Sequence, residues 1–488
     1  MIKFYTFLFF YVILKGVKVL LVKEERKVEY KVKNGWKKVK NQSEIFSFCE
    51  DYKTFLNLGK TEREFVKEGV KFVESKGFVS ADTKDNLVPG DKIYYVNREK
   101  NLVLAVIGKE DIEKGVNYVV SHIDSPRLDL KGNPLYEEFE LAYMKTHYYG
   151  GIKKYQWASI PLAMHGVVIL ENGEKVEITI GEKESDPVFT IPDVLPHLAA
   201  KIQGDRKAGE VLKGEELQII VGSIPTTVED KEVKSQIKYA VLEILNRDYG
   251  MVEEDFISAE LELVPAGTAR DIGFDKSMVG AYGQDDRICG YTSMRAIIDM
   301  EETPEKTAIC FLADKEEIGS SGSTGLKSDY LAYITGDIIE KIKGHFNEMM
   351  LRRVLWNSQA LSSDVNAGVD PIFKGVHDIQ NAAKIGFGVV VTKYTGARGK
   401  SGTNDADAEY VGKIRQILNE EDVCWQIGEL GKVDEGGGGT VAMYLAHLGI
   451  RTIDIGPALL AMHSPFEVSS KLDVYETYRA YRAFYKRG

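Results

Sequence analysis

Cysteine is scarce. The 488-residue chain has four, Cys49, Cys289, Cys310 and Cys424, none in CxxC spacing. That excludes a thiolate zinc cluster and fits a reducing compartment, with Cys310 as a small hydrophobe in an apolar run. Positive charge is also short: 63 Lys and Arg against 74 Asp and Glu give a formal net charge of -11. The basic face that a general nucleic-acid binder needs is therefore not expected. Past residue 21 there is no apolar run long enough to span a membrane. Four glycines, Gly436 to Gly439, precede a helical pattern, but no Gly-Lys-Ser/Thr follows, so a phosphate P-loop is not expected. A close backbone approach to a substrate, centred on Gly437, is the functional reading of that run, and a plain loop is the other.

The N-terminus departs from the rest. Met1 to Leu21 is apolar, with Lys3, Lys15 and Lys18 as its only charges and no small-residue cleavage site after it. It reads either as a signal anchor or as a translated upstream extension, residues 1–25, on an otherwise cytoplasmic protein.

At this length one core is not enough, so two domains or a large insertion are expected. Residues 40–78 carry apolar side chains at helical spacing, and Thr61 with Glu64 forms a capping box. Residues 131–264 are strand-rich, with Asn172-Gly173 as a hairpin turn, a short helix around His197 and a helix over Lys234 to Asn246. His147, His165 and His197 lie in this block, each structural when taken alone. From Phe256 onward strands (Ser258 to Val264, Thr307 to Leu312, Gly388 to Thr392, Arg451 to Ile455) alternate with helices (Cys289 to Asp299, Glu409 to Asn419, Thr440 to Leu448). Such alternation predicts an α/β sheet with helices on its faces and ligand sites outside the carboxyl ends of its strands.

The stretch Thr307 to Gly325 runs from a buried strand into Asp314, Lys315, Glu316 and Glu317. Adjacent carboxylates there are costly unless paired, and a divalent metal with one ligand and one general base is a pairing that does chemistry. His122 ends another predicted strand. Asp124, two residues on, points to the same face of an extended chain and is suited to fix an imidazole's tautomer. Asp285-Asp286 precede a helix, Asp364 follows an apolar start, and His463 follows a strand. Each is weak alone; together they are the oxygen and nitrogen donors of a two-metal hydrolase.

The stretches SHIDSPRLDLK, LPHLAAK, QDDRICGYTS, DKEEIGSSGSTG, SSDVNAGVDP, TKYTGARGKSGTNDADAEYVGK and AMHSPFEVSS, in that order, resemble the M18 family of metalloaminopeptidases, in its bacterial branch related to yeast vacuolar aminopeptidase I. The resemblance runs from about residue 40 to the C-terminus. It implies a mixed-sheet α/β/α two-metal peptidase domain (26–130 and 265–488) with an inserted β-rich dimerisation domain (131–264). It implies two divalent ions per subunit, zinc first, with cobalt or manganese as alternatives. One would be held by His122, Asp285 and Asp364, the other by Asp285, Glu317 and His463, with Asp285 shared. Glu316 would be the general base and Asp124 would orient His122. The family commonly has Asp-Asn where this chain has Asp285-Asp286. Its aspartyl branch has a histidine after the third ligand, where this chain reads Val365-Asn366-Ala367; that points to broad or neutral substrate preference. His197 matches a histidine that reaches a neighbouring subunit's site. Lys393, in the basic loop TKYTGARGK, either reads an acidic substrate or touches another subunit. The implied assembly is a tetrahedral dodecamer built from dimers, acting on peptides. A carboxypeptidase or deacylase with the same metal pair, or a non-catalytic self-assembling shell, are the alternatives.

Overall fold

The computed structural model describes residues 30–227 and 233–488. The apolar N-terminal stretch, residues 1–25, lies outside them.

Strands Asn101–Val106, Asn117–His122 and Ala308–Ala313 are apolar on both faces and buried throughout. A strand of that kind needs cover on both sides. Leu102, Leu104, Val119, Cys310 and Leu312 enter one core layer, and Val103, Ala105, Val120, Ile309 and Phe311 the other. The alternation is the period of two that a pleated strand imposes. The first layer is roofed by helices Ser43–Leu58, Glu62–Glu74, Gln284–Ile298, Ala408–Glu420 and Lys471–Arg487, the second by Tyr330–Lys343, Glu348–Asn357 and Ala442–His447. Cys310 is a buried packing residue, as its sequence context suggests.

The resulting nine-stranded sheet has the order Val79–Ser80, Lys92–Asn97, Asn101–Val106, Ala308–Ala313, Asn117–His122, Gln359–Ser362, Arg451–Gly456, Val389–Thr392 and Trp425–Ile427. Its four central strands, from Ala308–Ala313 to Arg451–Gly456, run parallel. Their carboxyl ends therefore lie along one edge, where His122 closes its strand and the 314–317 and 364 segments begin. A smaller five-stranded sheet, Arg270–Ile272, Met278–Ala281, Glu467–Ser470, Ala458–Leu460 and Asn366–Ala367, stands at that edge. It carries the chain into Asp285, out of Asp364 and around His463.

Residues 127–265 build a separate six-stranded antiparallel sheet with its own core around Leu128, Trp157, Ile219 and Leu263. The run read from Ser258 to Val264 is a strand, Ala259–Pro265, but it pairs with Leu162–Ile169 and Arg127–Glu138 in this sheet. The α/β alternation starts only after it. The Asn172-Gly173 turn joins Leu162–Ile169 to Lys175–Ile180, with Gly173 at φ 83° as that turn requires.

The two units meet through charge. Arg127 pairs with Glu62 and Glu262 at 3.4 and 3.1 Å, and Lys60 with Glu182 at 2.6 Å. His165 is buried between Glu64 and Glu182, its ring nitrogens at 2.8 and 3.0 Å from them. Thr61 caps helix Glu62–Glu74 in the reciprocal arrangement expected with Glu64. The cap thus fixes the helix start that presents this seam. Among the described residues no helix is long and apolar enough to cross a membrane.

Candidate metal centre

Five donors from five separate stretches converge at the sheet edge. His122, Asp285 and Asp364 form one group, and Asp285, Glu317 and His463 another, with the donor atoms in each within 4.8 Å of one another. Asp285 is common to both. Its Oδ1 lies 3.4 Å from His122 Nε2 and its Oδ2 3.1 Å from His463 Nε2. The two oxygens of one carboxylate thus address two different imidazoles. Glu316 Oε2 lies 3.9 Å and Asp364 Oδ1 3.8 Å from His122 Nε2.

Each imidazole is oriented through its other nitrogen. His122 Nδ1 lies 3.0 Å from the Asp124 carbonyl and 3.4 Å from its carboxylate. His463 Nδ1 lies 2.7 Å from the Gly151 carbonyl. With Nδ1 donating in both, Nε2 is left as the acceptor that a metal requires. Asp124 does more than the sequence indicated. Its two oxygens accept the amides of Glu316 and Glu317 at 3.1 and 3.2 Å, and Oδ2 also accepts the Tyr149 hydroxyl at 2.7 Å. It therefore holds the turn Glu316–Ile318, which Lys315 enters with φ 69°.

Glu467 is the positioning residue that sequence reasoning missed. Fully buried, it accepts the Asp285 amide at 3.1 Å and the His463 amide at 2.7 Å. The second bond steadies His463 at φ 64°, a left-handed conformation that costs a non-glycine residue of order 1 kcal/mol or more. The only sequence signal was a glutamate four residues after His463 in AMHSPFEVSS.

The electrostatics ask for positive charge. Burial pushes Glu316 up to about 7, with the charges of Asp124 and Asp285 adding to it against the pull of His122. Burial also lifts Glu317 and Asp364 well above the usual carboxylate range. For the imidazoles burial opposes the charged form but is outweighed. Asp124 and Asp285 hold His122 well above its ordinary value, and Asp285 and Glu317 bring His463 up to about 10. His122 Nε2 and Glu317 Oε1 are buried with no hydrogen-bond partner. Unpartnered buried donors aimed at one point are expensive unless something fills it, and this oxygen and nitrogen set fits a divalent ion such as zinc. Asp286 stands outside both groups, and burial drives it well above the usual carboxylate range.

Three other residues singled out from the sequence lie apart from this cage. His197 is exposed on helix Pro196–Ile202 and forms no hydrogen bond or ion pair with the site within the chain. Lys393 pairs with Asp405 at 3.6 Å, and Lys400 pairs with the same carboxylate at 3.0 Å. Gly437 does sit at a close backbone approach, at φ 112°, but to the chain itself: an added Cβ would lie 2.5 Å from Ala397 Cα. Packing of two loops accounts for this glycine.

Residues 55–485 match the family described as Aminopeptidase I zinc metalloprotease (M18). A Borreliella afzelii (strain PKo) protein named "Probable M18 family aminopeptidase 1" is 56% identical over 459 residues, covering 93% of this chain and 100% of its own. A crystal structure of an M18 aminopeptidase from Thermotoga maritima is similar with a TM-score of 0.90 at 48% identity, covering 94% of this chain and 100% of that one. At 22% identity, and so for the fold alone, mApe1 of S. cerevisiae, solved as a dodecamer, is similar with a TM-score of 0.71 over 90% of this chain and 96% of its own.

Proposed function

Because the chain belongs to the M18 family and is a metal-dependent aminopeptidase, we propose how its residues divide the work. Two divalent ions, zinc in the first instance, would be held by His122, Asp285 and Asp364 and by Asp285, Glu317 and His463. The observation that carries this reading is Asp285, whose Oδ1 and Oδ2 face His122 and His463 respectively. When bound, such ions acidify a water and polarise a peptide carbonyl.

The chain's own groups do the rest. Glu316, whose Oε2 lies 3.9 Å from His122 Nε2 at the edge of the cage, accepts the proton of the attacking water and passes it to the leaving amine. Asp124 keeps His122 in one tautomer and the Glu316–Glu317 turn in one place. Glu467 keeps Asp285 and His463 in register.

The strand-rich unit over residues 131–264 serves as a dimerisation domain, and His197 extends from it toward a neighbouring copy's site to donate to the developing oxyanion. Leu195, Leu198 and Ile202 beside it are exposed, as a surface awaiting a partner would be. Dimers of this kind assemble into a tetrahedral dodecamer that admits peptides. Four free cysteines suit the cytoplasm. Lys393, which pairs with Asp405 in the same loop, reads an acidic substrate side chain or touches a neighbouring subunit.

The test is hydrolysis of a panel of aminoacyl p-nitroanilides by zinc-, cobalt- and manganese-loaded protein, beside the same compounds N-acetylated, with the mass in solution measured in parallel. Only the free amines should be cleaved, by a species with a dodecamer's mass. Equal cleavage of the acetylated series would mark a different amidohydrolase.

A further inference from the structure

The second sheet reaches into the metal centre of its own chain. Strand Leu141–Tyr149 ends at Tyr149, whose ring is buried and whose hydroxyl donates to Asp124 Oδ2 at 2.7 Å. The same Asp124 oxygen accepts the Glu317 amide, and its other oxygen the Glu316 amide. Arg127, at the start of the paired strand, lies 4.0 Å from the centre of the Tyr149 ring. Arg127 is itself fixed by Glu62 of the catalytic unit and Glu262 of the second sheet. A continuous set of contacts thus runs from the seam between the units to the turn that carries Glu316.

We propose that Tyr149 is a positioning residue for peptide hydrolysis: acting through Asp124, it sets the Glu316–Glu317 turn against the metal ligands. This rests on the reading of Glu316 as base and Glu317 as ligand. The Asp124 carbonyl takes His122 Nδ1 at 3.0 Å, while its carboxylate, 3.4 Å from the same nitrogen at Oδ1, takes the two backbone amides and has that imidazole as a competing partner. The Tyr149 hydroxyl pins one oxygen. The carboxylate plane is then fixed, and so is the split of one amide to each oxygen. Burial beside Asp124 holds the Tyr149 phenol far above its ordinary pKa, so it remains a donor at any working pH. Without it, Asp124 can turn toward His122 and release the turn. The strand-rich unit is then part of the catalytic machinery as well as a candidate assembly surface.

Tyr149→Phe keeps the ring over Arg127 and removes only the donor. Assayed as the zinc-loaded full chain on leucine p-nitroanilide, it should lose about 10- to 100-fold in kcat, the usual range for an outer contact of a metal site, with KM within about two-fold and metal content unchanged. Hydrogen exchange should quicken at the Glu316 and Glu317 amides and nowhere else in the catalytic unit. In a double-mutant cycle, adding Tyr149→Phe to Asp124→Asn should cost nothing further, because the two act through one carboxylate. A wild-type kcat in Tyr149→Phe, unchanged exchange at those amides, or costs that multiply in the double variant would each overturn the proposal. If Glu316→Gln also proved fully active, the reading of the site would fall and Tyr149's role with it. A fully active Tyr149→Phe beside an inactive Glu316→Gln overturns the role of Tyr149 alone.

Discussion

Glu467, 182 residues along the chain from Asp285, ties it to His463, one carboxylate oxygen accepting each backbone amide. The residue shared by both metal groups and the last imidazole of the cage are therefore set by one buried side chain. Glu467→Gln keeps the volume but leaves one carbonyl oxygen for two amides. Its metal affinity should fall about 10- to 100-fold. Competition with a chelating dye would read this directly; unchanged affinity would remove Glu467 from the site's support.

Asp285→Ala should empty both groups at once, because each loses the same donor. Metal analysis of the purified variant is the measurement. Loss of one ion with full retention of the other would mean that Asp285 is not shared.

Glu316→Gln should retain metal yet lose about 100- to 10,000-fold in kcat, the range associated with a general base. Its amide bond to Asp124 comes from the backbone and survives the change. A rate near wild type would transfer the role of base to another group.

His165 predicts a pH dependence of stability at the seam. Burial disfavours its charged form, but the carboxylates of Glu182 and Glu64 overcome this and raise it above its ordinary 6.5. A group raised on folding stabilises fully below its unfolded value, near 6.5, and that contribution fades as pH climbs through the folded value. Melting temperatures of wild type and His165→Gln should therefore differ most at pH 6 and converge toward pH 9. A constant difference would mean that the imidazole is neutral throughout.

Gly437→Ala should loosen the loops without touching the metal centre. The new Cβ would meet Ala397 Cα and N at 2.5 and 2.6 Å, and the backbone at φ 112° resists any side chain. Faster proteolysis within residues 396–402 and 433–439, at unchanged metal content, is the expected result. Equal protease resistance would argue against that packing.

The donors were legible because strand ends are legible. His122 and the 314–317 run follow continuous apolar segments, and such segments announce both a buried strand and the edge where it stops. Glu467 and Tyr149 were not, since nothing local marks a carboxylate that will meet an amide 182 residues away or a tyrosine that will face Asp124. Helix Lys471–Arg487 was missed for a related reason. Lys471 and Asp473 occupy wholly buried positions, where an amphipathic pattern calls for apolar residues. Lys471 is matched by Asp271 at 2.8 Å, and Asp473 accepts the Gly386 and Gly388 amides. Charge that is paired only in the folded chain looks like a solvated face in the sequence. The Arg127–Tyr149 hairpin hid in the same way, because Arg127 is buried against two glutamates.

Because one imidazole and its glutamate brace come from the 463–467 segment, while the other imidazole lies at residue 122, a growing polypeptide cannot close its metal cage until residue 467 has been made. A chain that has not yet reached this segment lacks the second imidazole and the carboxylate that aligns Asp285, so neither cation group is complete before both are made.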